Sequence, residues 1–530
     1  MSTSIPFRSI VLEIPELVAH ICASTRPADH ARLLRVSKLF FYCTAPLLWK
    51  EIRGVTTLLK LIDGVTTKSE KTDFVCSNVV IELDEHLDFT RFDFYAPLVH
   101  KLEVFHQRTE TLTLDAWDGL VGRDRPLLPN LTRLSCREAP AHQSHDSIIQ
   151  WVNAFLTPDL VELRVPNPNG DICAMFTWLA PLLVSNMLQT VSTKCPSLKT
   201  LEVAPGTSTR DSHTIEFNIP LTTGLHEHIA RFDSLRTLVT SAAALEPGML
   251  VALSQLPKLE ALSVVSSHQH EPIIRLVSLG SNAFPALERL ELRRLSLNAI
   301  IGLWYTPGLV SKLSTAVIAQ PILDEFTPRG WAGELISHVC LQSPALQEFY
   351  LDPYYYVTQV VFLSHDNLKL LEQQQVSLKS ITLCGTLVDR NVGVQDLARA
   401  FPNLSVLRLP SWRVTWQDAR DLVARLPSLH TLSVGLDTLQ PTIPQVKPQV
   451  ESGCGDRSRL SLEMSWDSLV DLSSEKIFKL AEFLHDTWPT VKCEVMPGLS
   501  HSQRTAMALQ RLNGMISNLN RQRRVGGLDM

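Results

Sequence analysis

The chain has 530 residues, 45% of them hydrophobic and 19% charged, which is the composition of a folded protein and excludes a largely disordered one. A formal charge of −5 and a pI near 6.4 exclude the strongly basic class that binds nucleic acid or anionic membranes. No apolar run reaches the roughly 18 residues of a membrane-spanning helix. Glu13 and Glu16 interrupt the only apolar segment near the N-terminus, so no signal peptide is expected. The ten cysteines are scattered singly with no CxxC, and Cys22, Cys43 and Cys384 sit inside apolar patterns. Reduced, buried thiols of a cytoplasmic or nuclear protein are expected.

Residues 12–52 have a helical apolar pattern found nowhere else in the chain. Pro15 suits a first helical position, and Glu16 complements the positive end of that helix. Ile14, Leu17, Val18 and Ile21 share one stripe. Asp29 is placed to cap a second helix carrying Leu33, Val36 and Phe40. Pro46 then opens a short third helix ending in Leu47, Leu48 and Trp49. Three helices in about forty residues bury too little surface to stand alone, so this module needs a partner or the rest of the chain.

After it, one phrase recurs: Pro, one residue, Leu, two residues, Leu, one residue, Val or Leu. Near-complete copies begin at Leu128, Thr157, Cys195, Leu256, Phe284, Ser343, Phe401 and Leu426, and degenerate ones at Ala96, Phe232 and Val376. The spacing runs from 24 to 38 residues, apart from a gap of 59 after Phe284 that has room for a further copy near Leu309–Leu313. In L-x-x-L-x-L the last two apolar residues are two apart, the period of a strand, so both point to one face. The proline precedes the strand, where a missing N–H is tolerated. Helical segments separate the phrases, for example Ser147–Leu156, Phe176–Lys194, Gln395–Phe401 and Trp416–Leu426. Strand plus helix at this period is the leucine-rich-repeat pattern, a right-handed parallel solenoid. Three buried aliphatics stabilise a unit by about 6 kcal/mol, while ordering some 28 residues costs tens of kcal/mol. Each unit therefore depends on its neighbours.

Turn-rich loops fall at 166–171, 205–213 and 323–333, and the Pro-rich stretch 437–459 reads as a mobile insertion. Beyond it, Ser474–Asp486 is amphipathic, Thr487–Val495 is a last degenerate repeat, and Ser502–Gln522 is a terminal helix that would cap the array. The expected organisation is a helical module at 10–53, a solenoid at 74–436, the insertion at 437–459, and a last repeat with helical cap at 460–525.

The segment Ile14-Pro15-Glu16-Leu17, with Ile21, Asp29, Leu33, Val36-Ser37-Lys38, Phe40 and Leu48-Trp49, resembles the F-box in the degenerate form of fungal F-box/leucine-rich-repeat proteins. It departs from that pattern in three places. The residue between Pro15 and Glu16 is missing, His30 stands where leucine is common, and Phe40 replaces a tryptophan. The array resembles the irregular, ribonuclease-inhibitor-like repeats of such proteins. The fold class expected is α/β: a short all-α three-helix F-box-like module followed by an irregular leucine-rich-repeat solenoid. The resemblance implies docking on the Skp-type adaptor of a cullin ubiquitin ligase. Ile14, Pro15, Leu17, Ile21, Val36, Phe40, Leu48 and Trp49 are the candidates for that interface or for the small core beneath it.

Strand residues that alternate with the core leucines face the inner surface, where an as yet unidentified protein substrate would bind. They include Arg133, Glu162, Arg164, Glu202, Arg289, Glu291, Glu348, Tyr350 and Arg408, with Ser135, Thr200, Thr431 and Ser433 beside them. Their mixed charge argues for a protein ligand over a polyanion. Tyr354–Tyr356, Trp412 and Trp416 are either binding aromatics or packing ones. No GxxxxGK[ST], GxSxG, HExxH or GxGxxG occurs, and the close histidine pairs His142/His145, His226/His228 and His268/His270 have no cysteine beside them. The expectation is a non-enzymatic substrate receptor of a Skp–cullin–F-box ligase, with no cofactor or metal and no nucleic-acid or membrane partner. The alternative is an F-box/leucine-rich-repeat scaffold that binds without promoting degradation.

Overall fold

The computed structural model describes residues 10–71, 77–106, 110–114, 117–123, 125–137, 139–140, 143–165, 178–206, 224–266, 279–280, 282–324, 327–328, 330–353, 361–374, 376–389, 391–436, 460–464, 473–488, 490–495 and 503–526. The loop 166–171, most of 205–213, Tyr354–Tyr356 and the Pro-rich stretch 437–459 lie outside the described residues. The chain forms two compact units, residues 1–267 with 284–286 and residues 268–283 with 287–530.

The first unit opens with three helices: α1 (Pro15–Ser24), α2 (Pro27–Leu33) and α3 (Lys38–Trp49). Two boundaries differ from the sequence reading. Asp29 lies inside α2, and it is Ser37 that caps the next helix, its hydroxyl accepting from Phe40 N–H. Pro46 opens no helix of its own and sits within α3. The carbonyl its missing N–H would have met belongs to Tyr42, an exposed residue where water can serve instead.

A parallel ladder follows in the same unit. Its strands are Glu51–Arg53, Lys101–Glu103, Arg133–Ser135, Glu162–Arg164, Thr200–Glu202, Thr237–Ser241 and Ala261–Val265, each paired with the next. The second unit has a ladder of the same kind: Arg289–Arg293, Thr315–Ala319, Glu348–Asp352, Ser380–Leu383, Val406–Val414, Thr431–Leu436, Ser461–Met464 and Lys492–Val495. Helices such as His145–Ala154, Pro181–Lys194, Trp331–Gln342 and Trp416–Arg425 connect the strands. Parallel strands joined by helices at the period of the L-x-x-L-x-L phrase are leucine-rich repeats.

The phrase has a local explanation. Leu131 N–H donates to Leu128 O, Leu160 N–H to Thr157 O and Leu429 N–H to Leu426 O, at 3.1 Å in each case. These close β-turns in which Pro129, Pro158 and Pro427 hold the second position, where a fixed φ near −65° is favoured. The turn lowers the first leucine into the core, and the strand adds two more. Leu131, Leu134, Leu160, Leu163, Leu198 and Leu201 are all fully buried. The wide gap after Phe284 does contain another repeat. Leu313, Ala316 and Ile318 are each fully buried around the strand Thr315–Ala319, with alanine where other copies have leucine.

A side sheet in the first unit was not anticipated. Asp63–Lys71 runs antiparallel to Ser77–Asp88, which pairs in parallel with Glu110–Leu114. In the second unit, Ser474–Thr487 buries Ile477, Leu480, Ala481 and Leu484, and Gln503–Gly526 buries Leu509, Leu512 and Ile516. Among the described residues no helix is long and apolar enough to cross a membrane.

Candidate interaction surfaces

The N-terminal module divides its apolar residues between a small core and an open face. Val18 and Cys22, four apart on α1, meet Phe40 of α3, and Leu33, Leu39, Cys43 and Leu47 pack around them. His30 is buried here too. Its Nε2 lies 3.1 Å from the Cys22 carbonyl, which can only accept, so Nε2 carries the proton. The bond ties α2 to the end of α1 and accounts for a polar residue in an apolar place.

The rest of the α1 stripe faces outward. Ile14, Leu17 and Ile21 are 38%, 42% and 37% exposed, Val36 is 61% exposed, and Pro15 is exposed as well. Leu12, which the sequence reading did not single out, joins them at 46%. Six of the fifteen exposed large apolar side chains among the described residues fall between Leu12 and Tyr42. Leu48 and Trp49 are half-buried, and Trp49 stacks on Tyr95 with ring centroids 4.5 Å apart. Phe41 lies 6.0 Å from Phe94. Lys50 O, just past α3, accepts from His100 and Lys101 N–H at 3.0 and 2.9 Å, so the module passes into the first repeat with no linker. Of the eight proposed docking residues, five are thus exposed, Phe40 is core, and Leu48 and Trp49 are shared.

On the sheet face of the first unit, register places Glu51, Lys101, Arg133, Glu162 and Thr200 in one row and Arg53, Glu103, Ser135, Arg164 and Glu202 in the next. Opposite charges pair along and between the rows. Lys101 pairs with Glu51, Arg133 with Glu162 at 3.3 Å, and Arg164 with Glu162 and, at 4.0 Å, Glu202. Glu202 is only 2% exposed, and Arg137 reaches over the intervening strand to it, Nε donating at 2.9–3.0 Å. Arg137 lies two residues beyond its strand, which ends at Ser135, and was not among the residues named from the sequence.

The second unit repeats this arrangement. Arg408, Ser433 and Glu463 are in register, and Arg408 passes over Ser433 to bind Glu463 through Nε at 2.7 Å and Nη2 at 2.8 Å. Ser433, Thr431 and Glu463 are buried, while Arg289 and Glu348 are exposed. Glu291 pairs with Arg289 and Arg293. Tyr350 Oη donates to Asp352 Oδ2 at 3.2 Å, and burial raises the Asp352 carboxyl above its ordinary range despite that bond and the nearby Arg293. Trp412 and Trp416 are buried, and Trp416 packs edge-on against Phe483 at 5.3 Å, so both are packing residues.

Burial pushes the thiols of Cys195 and Cys384 up to about 11 and those of Cys340 and Cys493 up to about 12. These groups stay protonated, the opposite of what a thiolate nucleophile needs. His226 and His228 share the short helix Leu225–Ile229, while His142, His268 and His270 lie outside the described residues. Among the described residues no group of three or more His, Cys, Asp or Glu is placed to hold a metal ion.

No protein-family model and no curated protein matches this chain. Solved structures do. The crystal structure of TLR13 in complex with ssRNA13 matches at 16% identity and a TM-score of 0.33, over 63% of this chain and 41% of that one. The leucine-rich-repeat-containing protein LegL7 from Legionella pneumophila matches at 10% identity and a TM-score of 0.29, over 76% of this chain and 97% of that one. The chain therefore spans less than half the length of the TLR13 chain.

Proposed function

We propose that this protein is a non-catalytic substrate receptor of a Skp–cullin–F-box ubiquitin ligase, working in the cytoplasm or nucleus. Its N-terminal module docks the Skp-type adaptor, and the sheet face of its repeats binds a protein substrate. One observation carries the reading. A module whose apolar core centres on Val18, Cys22 and Phe40 leaves Leu12, Ile14, Leu17, Ile21 and Val36 in water. Exposing so much apolar surface on so small an element is costly unless a partner covers it. The F-box resemblance that Ile14, Leu17, Ile21 and Val36 belong to names that partner as the adaptor. The repeats supply a second surface whose mixed, internally paired charges suit a protein ligand.

The test is capture of a recombinant Skp-type adaptor by the full chain and by a Leu17→Glu, Val36→Glu variant. Both positions are exposed, so the variant should keep its melting behaviour and lose capture by at least about tenfold. Equal capture by the two chains would sink the docking reading. If capture is lost yet depletion of the protein leaves the half-life of its bound partners unchanged, the scaffold role replaces the degradative one.

A further inference from the structure

Two sheet edges in this protein end on a side-chain carboxamide. Lys492–Val495 is the last strand of the second unit's ladder. Lys492 N–H donates to Leu460 O at 2.8 Å, so the N–H and carbonyl of Cys493 point the other way, to the free edge. Asn513, on the helix Gln503–Gly526, meets both. Cys493 N–H donates to Asn513 Oδ1 at 2.9 Å, and Asn513 Nδ2 donates to Cys493 O at 2.8 Å. A carboxamide offers the same donor and acceptor as a peptide group, so Asn513 makes the pair of bonds that another strand's backbone would make.

The side sheet of the first unit ends in the same way. Glu110–Leu114 is its last strand. Leu112 N–H donates to Gln143 Oε1 and Gln143 Nε2 donates to Leu112 O, both at 2.8 Å. The other edge of that sheet, Asp63–Lys71, carries exposed charges, Lys68 and Glu70 among them. Charge and coverage are two ways of denying an edge to a further strand.

We propose that Asn513 is the end-stop of the strand ladder: by occupying the outward backbone of Cys493 it denies the last edge to a strand from a second copy of this chain. The ladder is built of parallel strands of one repeated phrase, so an open end would present a template matched to strands of the same kind. Asn513 is held in place by its helix, where the adjacent Leu512 is fully buried and Ile516 is 2% exposed.

Asn513→Leu keeps the side chain's size and the helix and removes both bonds. In the full-length variant, hydrogen exchange at the Cys493 amide should quicken about tenfold or more. Its mass by light scattering should rise with concentration where that of the unaltered chain does not. Adding Cys493→Pro, which deletes the outward N–H and spares the Lys492–Leu460 bond, should return the mass to that of the unaltered chain. A folded Asn513→Leu chain whose mass is independent of concentration overturns the proposal. Should that variant fail to fold, the unaltered protein decides. A Cys493 amide exchanging as slowly as that of Lys492 supports the end-stop, and exchange at the solvent rate refutes it.

Discussion

Trp49, the last residue of α3, stacks on Tyr95 of the first repeat with ring centroids 4.5 Å apart and planes tilted by 31°. The tryptophan that the family resemblance assigns to docking is thus half-buried by the chain's own packing. Trp49→Ala should lower stability by about 2–3 kcal/mol, read as an earlier midpoint in urea with hydrogen exchange quickened across Lys38–Trp49. A loss under about 0.5 kcal/mol would mean the stack is ornamental.

The module's inside and outside should separate cleanly. Phe40→Ala empties the core it shares with Val18 and Cys22 and should cost about 3 kcal/mol. Val36→Ser replaces an exposed side chain and should stay within about 0.5 kcal/mol of the parent. Thermal melts of the two variants side by side settle the assignment, and comparable losses would contradict it.

Glu202 and Glu463 are each held by an arginine that crosses a neighbouring strand. Glu202→Gln and Glu463→Gln should each cost about 1–2 kcal/mol. The cost stays below that of a fully buried pair because Arg137 and Arg408 are 43% and 32% exposed and can turn to water. Denaturant titration of each variant checks this. A loss that disappears at high salt would place the pairs on the surface instead.

Asp352 gives a pH signature. Burial raises its carboxyl in the folded chain, so the folded state holds its proton to higher pH than the unfolded state does. The penalty is absent below the unfolded value and complete above the folded one, which makes the group destabilising near neutral pH. Asp352→Asn keeps an acceptor for the Tyr350 hydroxyl and should melt higher than the parent near neutral pH, with the gain vanishing on acidification. A difference constant across pH, or one that grows on acidification, would falsify the assignment.

The repeats were legible because the phrase encodes its own turn: Pro129, Pro158 and Pro427 fix the β-turn, and the leucines after each follow the strand period. Even the hidden copy at Leu313, Ala316 and Ile318 showed itself as a gap in the spacing. The split of the α1 stripe was not legible. Leu17 and Val18 are neighbours in sequence and on the helix surface, and only the position of α3 decides which one is covered. The side sheet was hidden for a different reason. Asp63–Lys71 carries almost no apolar residues, so its pairing rests on backbone bonds that leave little trace in composition. Arg137 was missed because it keeps the parity of Arg133 and Ser135 but lies past the strand's end, from where an arginine is long enough to cross the next strand.

The rows of paired charges constrain how the sheet face can diverge. Glu162 answers to both Arg133 and Arg164, and Glu202 to both Arg137 and Arg164. Exchange of Glu162 removes the partner of Arg133 on one neighbouring repeat, and exchange of Glu202 that of Arg137, whereas loss of one arginine leaves each carboxylate its other partner. Change at either glutamate is therefore tied to compensating change on a neighbouring repeat, and the unit in which this face varies is the neighbouring pair rather than the individual residue.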